Sequence, residues 1–255
     1  MEYIIFNGQK SSDFGITISG EGVYNAPARK YDSYVVPGRN GALLIDTGMF
    51  ENITVSYPAA ITRDLKTYEA AIRNWLLGAN GYCELRDTYH PDEFRIARYS
   101  GGFTFNEITQ LHRDGRMTLS FDCKPQRFLD AGKQAINVPY TGVDVVNPAL
   151  NLSAFCNASA KPIFMFFFRS IEAQGVTIRN ASGNTTGTIS VVGEAAEFGT
   201  VTIDCETLDA RFPDGSNANI YVSVSGVPEL PLSGVSHVSA VGLNPVTMIP
   251  RWWAI

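Results

Sequence analysis

The sequence predicts a mainly β protein, with an N-terminal β-sheet domain that carries one α-helix and a C-terminal β-sandwich. Three observations support this fold class. Short alternating apolar segments separated by turn residues run through most of the chain, only one segment has helical periodicity, and charge density falls sharply past the middle. The chain has 255 residues, of which 45% are hydrophobic and 18% charged. This composition is typical of a folded protein with one large domain or two modest ones.

The first element is the single helix. Its apolar residues recur on one stripe, as in an amphipathic helix: Leu65, Tyr68, Ile72, Trp75 and Leu76. Asp64 is placed to cap the first turn, and Gly78 supplies the stop. The sequence therefore predicts a helix over residues 64–78.

Short strand-like segments surround this helix in the first part of the chain, with turns expected at Gly101-Gly102 and Asp114-Gly115. The predicted strands are Tyr82–Arg86, Phe94–Tyr99, Phe103–Ile108 and Met117–Cys123. This pattern favours an antiparallel sheet with one helix packed on it.

The second part of the chain lacks any helical pattern and reads as regularly spaced short strands, which is typical of a β-sandwich. The predicted strands are Ile163–Phe168, Val176–Arg179, Thr188–Val192, Thr200–Cys205, Ile220–Val224 and Val246–Ile249. Trp252 and Trp253 are expected in the sandwich core, because buried indoles would hold the chain end in place.

The change in charge density marks the predicted domain boundary. Residues 1–135 contain 15 Lys/Arg and 16 Asp/Glu, whereas residues 136–255 contain 5 and 9. Turn-forming residues, among them Pro139, Gly142 and Asn147-Pro148, cluster at the transition. We therefore predict one domain at 1–135 and a second at 136–255.

Composition also narrows the function classes. A net charge of −5 disfavours direct nucleic-acid binding, although it suits a channel through which DNA passes. The four cysteines (Cys83, Cys123, Cys156 and Cys205) form no CxxC pair and have no histidine cluster nearby, so we expect free thiols, no metal and no cofactor. The N-terminus lacks signal-peptide features and the apolar run Ile163–Phe168 is too short to span a bilayer, which favours synthesis in a cytoplasm without membrane insertion.

No catalytic motif is recognisable, and three local groups were weighed as candidate sites. His90-Pro91-Asp92-Glu93 offers metal or acid–base groups but is better interpreted as a polar hairpin tip. Asp204 and Glu206 share one strand face and are better interpreted as solvent-facing charge than as paired catalytic acids. Arg39 lies between Gly38 and Gly41, and it could equally bind an anion or set the register of a subunit contact. We therefore predict no catalytic, cofactor-binding or metal residues and no enzymatic activity.

Several segments together carry a resemblance to a known family. In chain order they are Val36–Gly41 with Tyr57-Pro58, the helix ending in Gly78, Phe121–Leu129, Asn147-Pro148, Lys161-Pro162, Thr202–Glu206 and Ile249–Trp253. This series, spread over nearly the whole chain, resembles the distal tail proteins (Dit) of long-tailed bacteriophages that infect Gram-positive bacteria. Val235–Asn244 departs from the pattern, because it lacks the family's Gly-rich hairpin before the terminal strand.

The resemblance implies a location and an assembly. A protein of this kind forms a homohexameric ring at the tail tip of the virion, after synthesis in the host bacterial cytoplasm. Its N-terminal domain makes the ring and lines the DNA channel, and its C-terminal domain is a galectin-like β-sandwich. The implied partners are other copies of itself, the tail tube protein, and tail-associated lysin, fibre or receptor-binding proteins. The hairpin near His90 and the turn at Pro37–Gly41 are our candidates for contacts with a neighbouring copy.

Two other functions compete with this interpretation. A carbohydrate-binding module is compatible with a galectin-like sandwich, but His237 has no nearby Asn, Arg, Trp and Glu at galectin-like spacing. A cell-wall hydrolase lacks any candidate acid or nucleophile.

Overall fold

The chain is mainly β and divides into two units. The computed structural model describes residues 2–20, 22–63, 65–102, 107–109, 114–148, 159–232, 234–242 and 244–255. Unit 1 comprises Met1–Arg127 with Ile255, and unit 2 comprises Phe128–Ala254. Independent folding of domains at 1–135 and 136–255 stays a prediction.

Unit 1 contains ten strands and the only α-helix of the described residues, α1 (Leu65–Leu77). The strands are β1 (Ile4–Phe6), β2 (Gln9–Lys10), β3 (Ile16–Ile18), β4 (Arg29–Val35), β5 (Ala42–Phe50), β6 (Ile53–Ile61), β7 (Cys83–Asp87), β8 (Glu93–Tyr99), β9 (Glu107–Thr109) and β10 (Asp114–Leu129). The main sheet is antiparallel, with the order β2-β1-β7-β8-β10-β6-β3 and with β9 paired to β10. Strands β4 and β5 pair only with each other.

The core of unit 1 forms where α1 covers the sheet. Ile72, Trp75 and Leu76 lie on the buried stripe that the sequence predicted. The Trp75 indole N–H donates to the Phe6 carbonyl oxygen at 2.9 Å, which satisfies the one polar atom of that side chain. Gly78 follows the helix, and a Cβ there would lie 2.4 Å from the Asn74 carbonyl oxygen, so only glycine fits this position.

The predicted helix is confirmed almost residue for residue, whereas one predicted turn is wrong. Asp114-Gly115 does not form a turn but begins β10, which continues for 16 residues. The strand begins here because Asp114 pairs with Thr109 of β9 and Gly115 pairs with Ile61 of β6. Strand β6 pairs along its whole length with Gly115–Cys123. The predicted cap Asp64 and most of the predicted strand at 103–108 lie outside the described residues.

Twelve of the thirteen short strands in unit 2 form two five-stranded antiparallel sheets and one two-stranded pair, and the last, β23, pairs with β10. The strands are β11 (Ile136–Val138), β12 (Val143–Val146), β13 (Ser159–Ala160), β14 (Ile163–Phe167), β15 (Gln174–Arg179), β16 (Thr185–Val191), β17 (Thr200–Asp204), β18 (Asp209–Arg211), β19 (Val222–Gly226), β20 (Leu230–Pro231), β21 (Val235–Val241), β22 (Val246–Ile249) and β23 (Trp253–Ala254). One five-stranded sheet has the order β11-β22-β14-β17-β18 and the other β12-β21-β15-β16-β19. Each buries alternate residues on one face, as sandwich sheets do.

The predicted strands of unit 2 are found, with one shifted. Ile220 belongs to a 3₁₀ turn (Asn219–Tyr221), so the predicted strand at Ile220–Val224 begins at Val222 instead. The apolar run that was too short to span a bilayer is strand β14. None of the described helices has the length and apolarity needed to cross a membrane.

The C-terminal tryptophans are buried, as predicted. Trp252 is 3% and Trp253 8% exposed, and the Trp253 indole N–H donates to the Ser159 carbonyl oxygen at 3.1 Å. The carbonyl oxygen of Trp252 accepts a hydrogen bond from the backbone N–H of Leu129 at 2.9 Å. The chain end is therefore fixed by both packing and hydrogen bonds.

Cys83, Cys123 and Cys205 are free thiols, and Cys156 lies outside the described residues. Burial raises the pKa of the Cys123 and Cys205 thiols to about 12. Because the thiolate is the reactive form, these two are expected to react much more slowly than the partly exposed Cys83 in the native protein at pH 8. Thiol titration in denaturant without reductant should return all four thiols. Recovery of two or none would mean that disulfides form.

Candidate functional site

The His90 segment forms the turn between β7 and β8, as predicted. The Asp87 carboxylate organises this turn, because its Oδ1 accepts from the backbone N–H groups of Tyr89 and His90, at 3.0 and 2.9 Å. The same oxygen lies 3.1 Å from His90 Nδ1. Its Oδ2 accepts from the Tyr57 hydroxyl at 2.9 Å. The carboxylate is thus used for structure, since every one of these partners holds the chain in place.

A buried arginine stands beside this turn. Arg95 is 6% exposed, and neither Nη1 nor Nη2 has a hydrogen-bond partner among the described residues. Arg127 and Glu93 line the same small cavity and approach each other to 3.6 Å. Burial, together with the neighbouring Arg127 charge, lowers the pKa of Arg95. Burial and the Asp87 carboxylate raise the pKa of Tyr57, which stays a neutral hydrogen-bond donor.

Replacing Arg95 with methionine is expected to stabilise unit 1. A buried charge without a paired partner costs desolvation free energy, and exchanging such groups for apolar ones of similar volume can raise stability by about 1–4 kcal/mol. Urea unfolding measures the change. Arg98→Met on the same strand is the control, because Arg98 is exposed and bonds to Asp122, so its loss should change stability little. A destabilised Arg95→Met protein would mean that the guanidinium has a compensating partner in solution.

Asp204 and Glu206 are not free, solvent-facing acids. The Arg251 guanidinium forms a bidentate ion pair with Asp204, at 2.8 and 3.0 Å, and lies 3.4 Å from Glu206. Arg251 itself has a positive φ of 54° beside the buried tryptophans. The paired carboxylates therefore anchor the C-terminal segment, and the interpretation as plain surface charge is wrong for Asp204. No sequence pattern predicts this pair, because Arg251 lies 47 positions from Asp204 along the chain.

The remaining sequence candidates, His237 and Arg39, belong to different units. His237 Nδ1 lies 2.8 Å from Asp144 Oδ1 on β12, the strand paired with β21. Arg39 lies in the exposed turn between β4 and β5, where its backbone N–H donates to the Val36 carbonyl oxygen at 3.2 Å. Within the described ranges, no group of three or more His, Cys, Asp or Glu side chains is placed to hold a metal ion.

The most unusual surface is the hairpin of β4 and β5, which we call the arm (Arg29–Phe50). A two-stranded hairpin is marginally stable alone in water, and no third strand among the described residues pairs with this one. Nearly all of its side chains are exposed, including Val35 at 86% and Leu44 at 61%.

Both faces of the arm carry exposed apolar side chains, with Ser33 on one face and Asp32 on the other. The pairing Ser33↔Leu44 and Val35↔Ala42 places Leu44 and Val35 on one face, and Tyr34↔Leu43 places these two on the other. A hairpin that ends in solvent would have at least one polar face. Exposed apolar patches of this kind mark protein–protein contact surfaces.

The two strands of the arm are joined to each other at its base. Arg29 pairs with Asp46 at 3.3 Å and stacks over the Phe50 ring at 5.5 Å. The Glu51 backbone N–H donates to the Ala28 carbonyl oxygen at 2.9 Å. The apolar distal part is therefore presented by an ordered base. Sequence reasoning singled out only the Pro37–Gly41 turn as a contact; the apolar run Ala42–Ile45 that follows it was the available signal for the whole arm.

Comparisons with known proteins agree with this architecture. No protein-family model and no curated protein matches the sequence. Among solved structures, the Dit protein of phage SPP1, described as a paradigm of the hub adsorption apparatus in phages that infect Gram-positive bacteria, superposes with a TM-score of 0.70 at 13% identity, over 97% of both chains.

Two structures of the phage P2 baseplate in its activated conformation are also similar. The calcium form gives a TM-score of 0.57 at 6% identity over 97% of both chains. The strontium form gives 0.50 at 6% identity, over 95% of this chain and 99% of the other. The resemblance to the distal tail proteins is therefore confirmed as a likeness of fold over almost the whole chain.

Proposed function

We propose that this chain is a structural tail-tip protein of a bacteriophage, which forms a homohexameric ring between the tail tube and the host-adsorption apparatus. The observation that supports the proposal most directly is the exposure of the arm's apolar side chains. The exposed apolar side chains on its two faces have no cover among the described residues of the subunit, so a neighbouring chain is the natural source of that cover.

A half-open sheet edge offers a place for a neighbouring arm. Strand β6 pairs with β10 from Ile53 to Ile61, but on its other side β3 pairs only with Ala59–Ile61. The Ser19 backbone N–H donates to the Pro58 carbonyl oxygen. Beyond this bond, Ile53–Tyr57 have no strand partner on that side of β6 among the described residues. An open edge of this kind is a template for pairing with another chain.

The arm and this edge are different surfaces of one subunit, so a contact between them is heterologous. A heterologous contact repeats from copy to copy until the rotation closes a ring. The ring contact thus falls in unit 1, and six is the number of copies that the resemblance implies.

The remaining roles follow from the position at the tail tip. The tail tube protein lies on one side of the ring, and lysin, fibre or receptor-binding proteins attach on the other. DNA passes through the centre without being gripped, which suits a net charge of −5. The galectin-like unit 2 provides an attachment surface, and the chain has a structural rather than an enzymatic role.

Electron microscopy and native mass spectrometry test the assembly. Concentrated full-length protein, alone or with its tail partners, should form closed rings of six copies with a central opening. We expect residues 1–135 to retain ring formation and residues 136–255 to stay monomeric. A full-length chain that remains monomeric beside its tail partners would refute the proposal, and rings made by the C-terminal fragment would reverse the roles of the two parts.

A further inference from the structure

A second surface of unit 1, separate from the arm, has the chemistry of a ligand site. The turn between β1 and β2 and the exposed side of α1 border a cleft of about 380 Å³. This volume falls within the range of small-molecule sites, about 300–1,000 Å³. None of the side chains that line the cleft is ionisable. The cleft therefore has no charge with which to select an anion or a cation.

Three primary amides line the cleft. Asn7 belongs to the β1–β2 turn, where its φ is 49°, Gln9 begins β2, and Asn74 lies on α1. All three are exposed, and none of their side chains makes a hydrogen bond to the described part of the chain. Each amide offers two N–H donors and an acceptor oxygen, so each can bond to a group that both donates and accepts.

The cleft also has a rigid aromatic wall. Phe14 stacks on Trp75 with ring centroids 5.0 Å apart and an interplanar angle of 23°. Trp75 is held in turn by its hydrogen bond to the Phe6 carbonyl oxygen. Because the Trp75 ring is fixed, the half-buried Phe14 ring stacked on it forms a preorganised apolar surface beside the three amides.

We propose that this cleft binds a neutral saccharide. Sugar hydroxyls are donors and acceptors at once, which matches amides, and the C–H face of a sugar ring matches the Phe14 side of the wall. An extended peptide fits less well. The adjacent edge strand β2 has only two residues, too few for a strand to add to it.

The test is an NMR titration of the ¹⁵N-labelled full-length protein. The probes are neutral oligosaccharides of glucose, galactose, rhamnose and N-acetylglucosamine, with an uncharged Gly/Ser peptide as a separate arm. At least one saccharide should shift the side-chain amide signals of Asn7, Gln9 and Asn74 together. Asn74→Ala and Gln9→Ala should each weaken binding about fivefold to tenfold, the loss expected for one or two hydrogen bonds.

Asn80→Ala is the matched control, because Asn80 is an exposed amide just beyond α1 that does not line the cleft, and it should bind as the unmodified chain does. The proposal is overturned if no saccharide shifts the three signals, if Asn74→Ala binds normally, or if only the peptide binds. Ring formation is a separate measurement that uses the arm, so failure of saccharide binding leaves the proposed assembly untouched.

Discussion

Replacing Tyr34 and Leu44 with serine is expected to abolish ring assembly while leaving the subunit folded. The two side chains lie on opposite faces of the arm, and both are exposed in the single chain, at 52% and 61%. Burying one large apolar side chain contributes about 1.5–3 kcal/mol, so each subunit contact would lose about 3–6 kcal/mol. Over a closed ring, a loss of this size at every contact removes the assembly at micromolar concentration.

The double variant Ile171→Ser with Ile220→Ser is the matched control. These isoleucines lie in unit 2 and are 82% and 83% exposed. Replacing them therefore removes a comparable amount of exposed apolar surface and leaves the arm unchanged. Mass photometry and circular dichroism on all three proteins separate assembly from folding. Rings that persist in the arm variant would show that the arm makes no essential contact.

Truncating Trp253 to alanine is expected to have the largest effect on stability, a loss of about 3–5 kcal/mol, as for other buried tryptophans. The change opens a cavity beside the chain end and leaves the Ser159 carbonyl oxygen without its donor. Trp253→Phe keeps most of the apolar volume and removes the N–H. It should lower the free energy of unfolding less than the alanine change does, and the lost hydrogen bond should account for about 1 kcal/mol of the decrease. Urea unfolding followed in the far ultraviolet measures both. An alanine variant within 1 kcal/mol of the unmodified protein would contradict the assigned role of this residue.

Local pattern accounts for the parts of the fold that could be predicted. Helix α1 was predicted from apolar residues on one stripe, and the same stripe is buried in the structure. Strand β10 was predicted too short, as Met117–Cys123, because Asp114-Gly115 is turn-like in isolation. The long partner β6 overrides that local preference, and such a partner lies outside any short window of sequence.

The functional surfaces were less accessible to sequence reasoning than the strands. The sequence predicted no site, and the cleft beside α1 brings together Asn7, Gln9 and Asn74, which share no motif and no spacing. Arg95 lies in the predicted strand Phe94–Tyr99, where alternation places it on the face opposite Phe94, yet both residues are buried. Alternation predicts which face a side chain is on, but not whether a turn such as the one at His90 covers that face.

The exposed arm also bears on the lifetime of subunits that have not assembled. An exposed hairpin with no third strand is a preferred cutting site for proteases, because it opens locally at little cost. We expect free subunits to be nicked between Arg29 and Phe50 and assembled ones to be protected there. Under the proposed function, proteolytic turnover would remove surplus copies and spare those already built into a tail, so that the number of subunits is matched to the number of particles without any dedicated regulator.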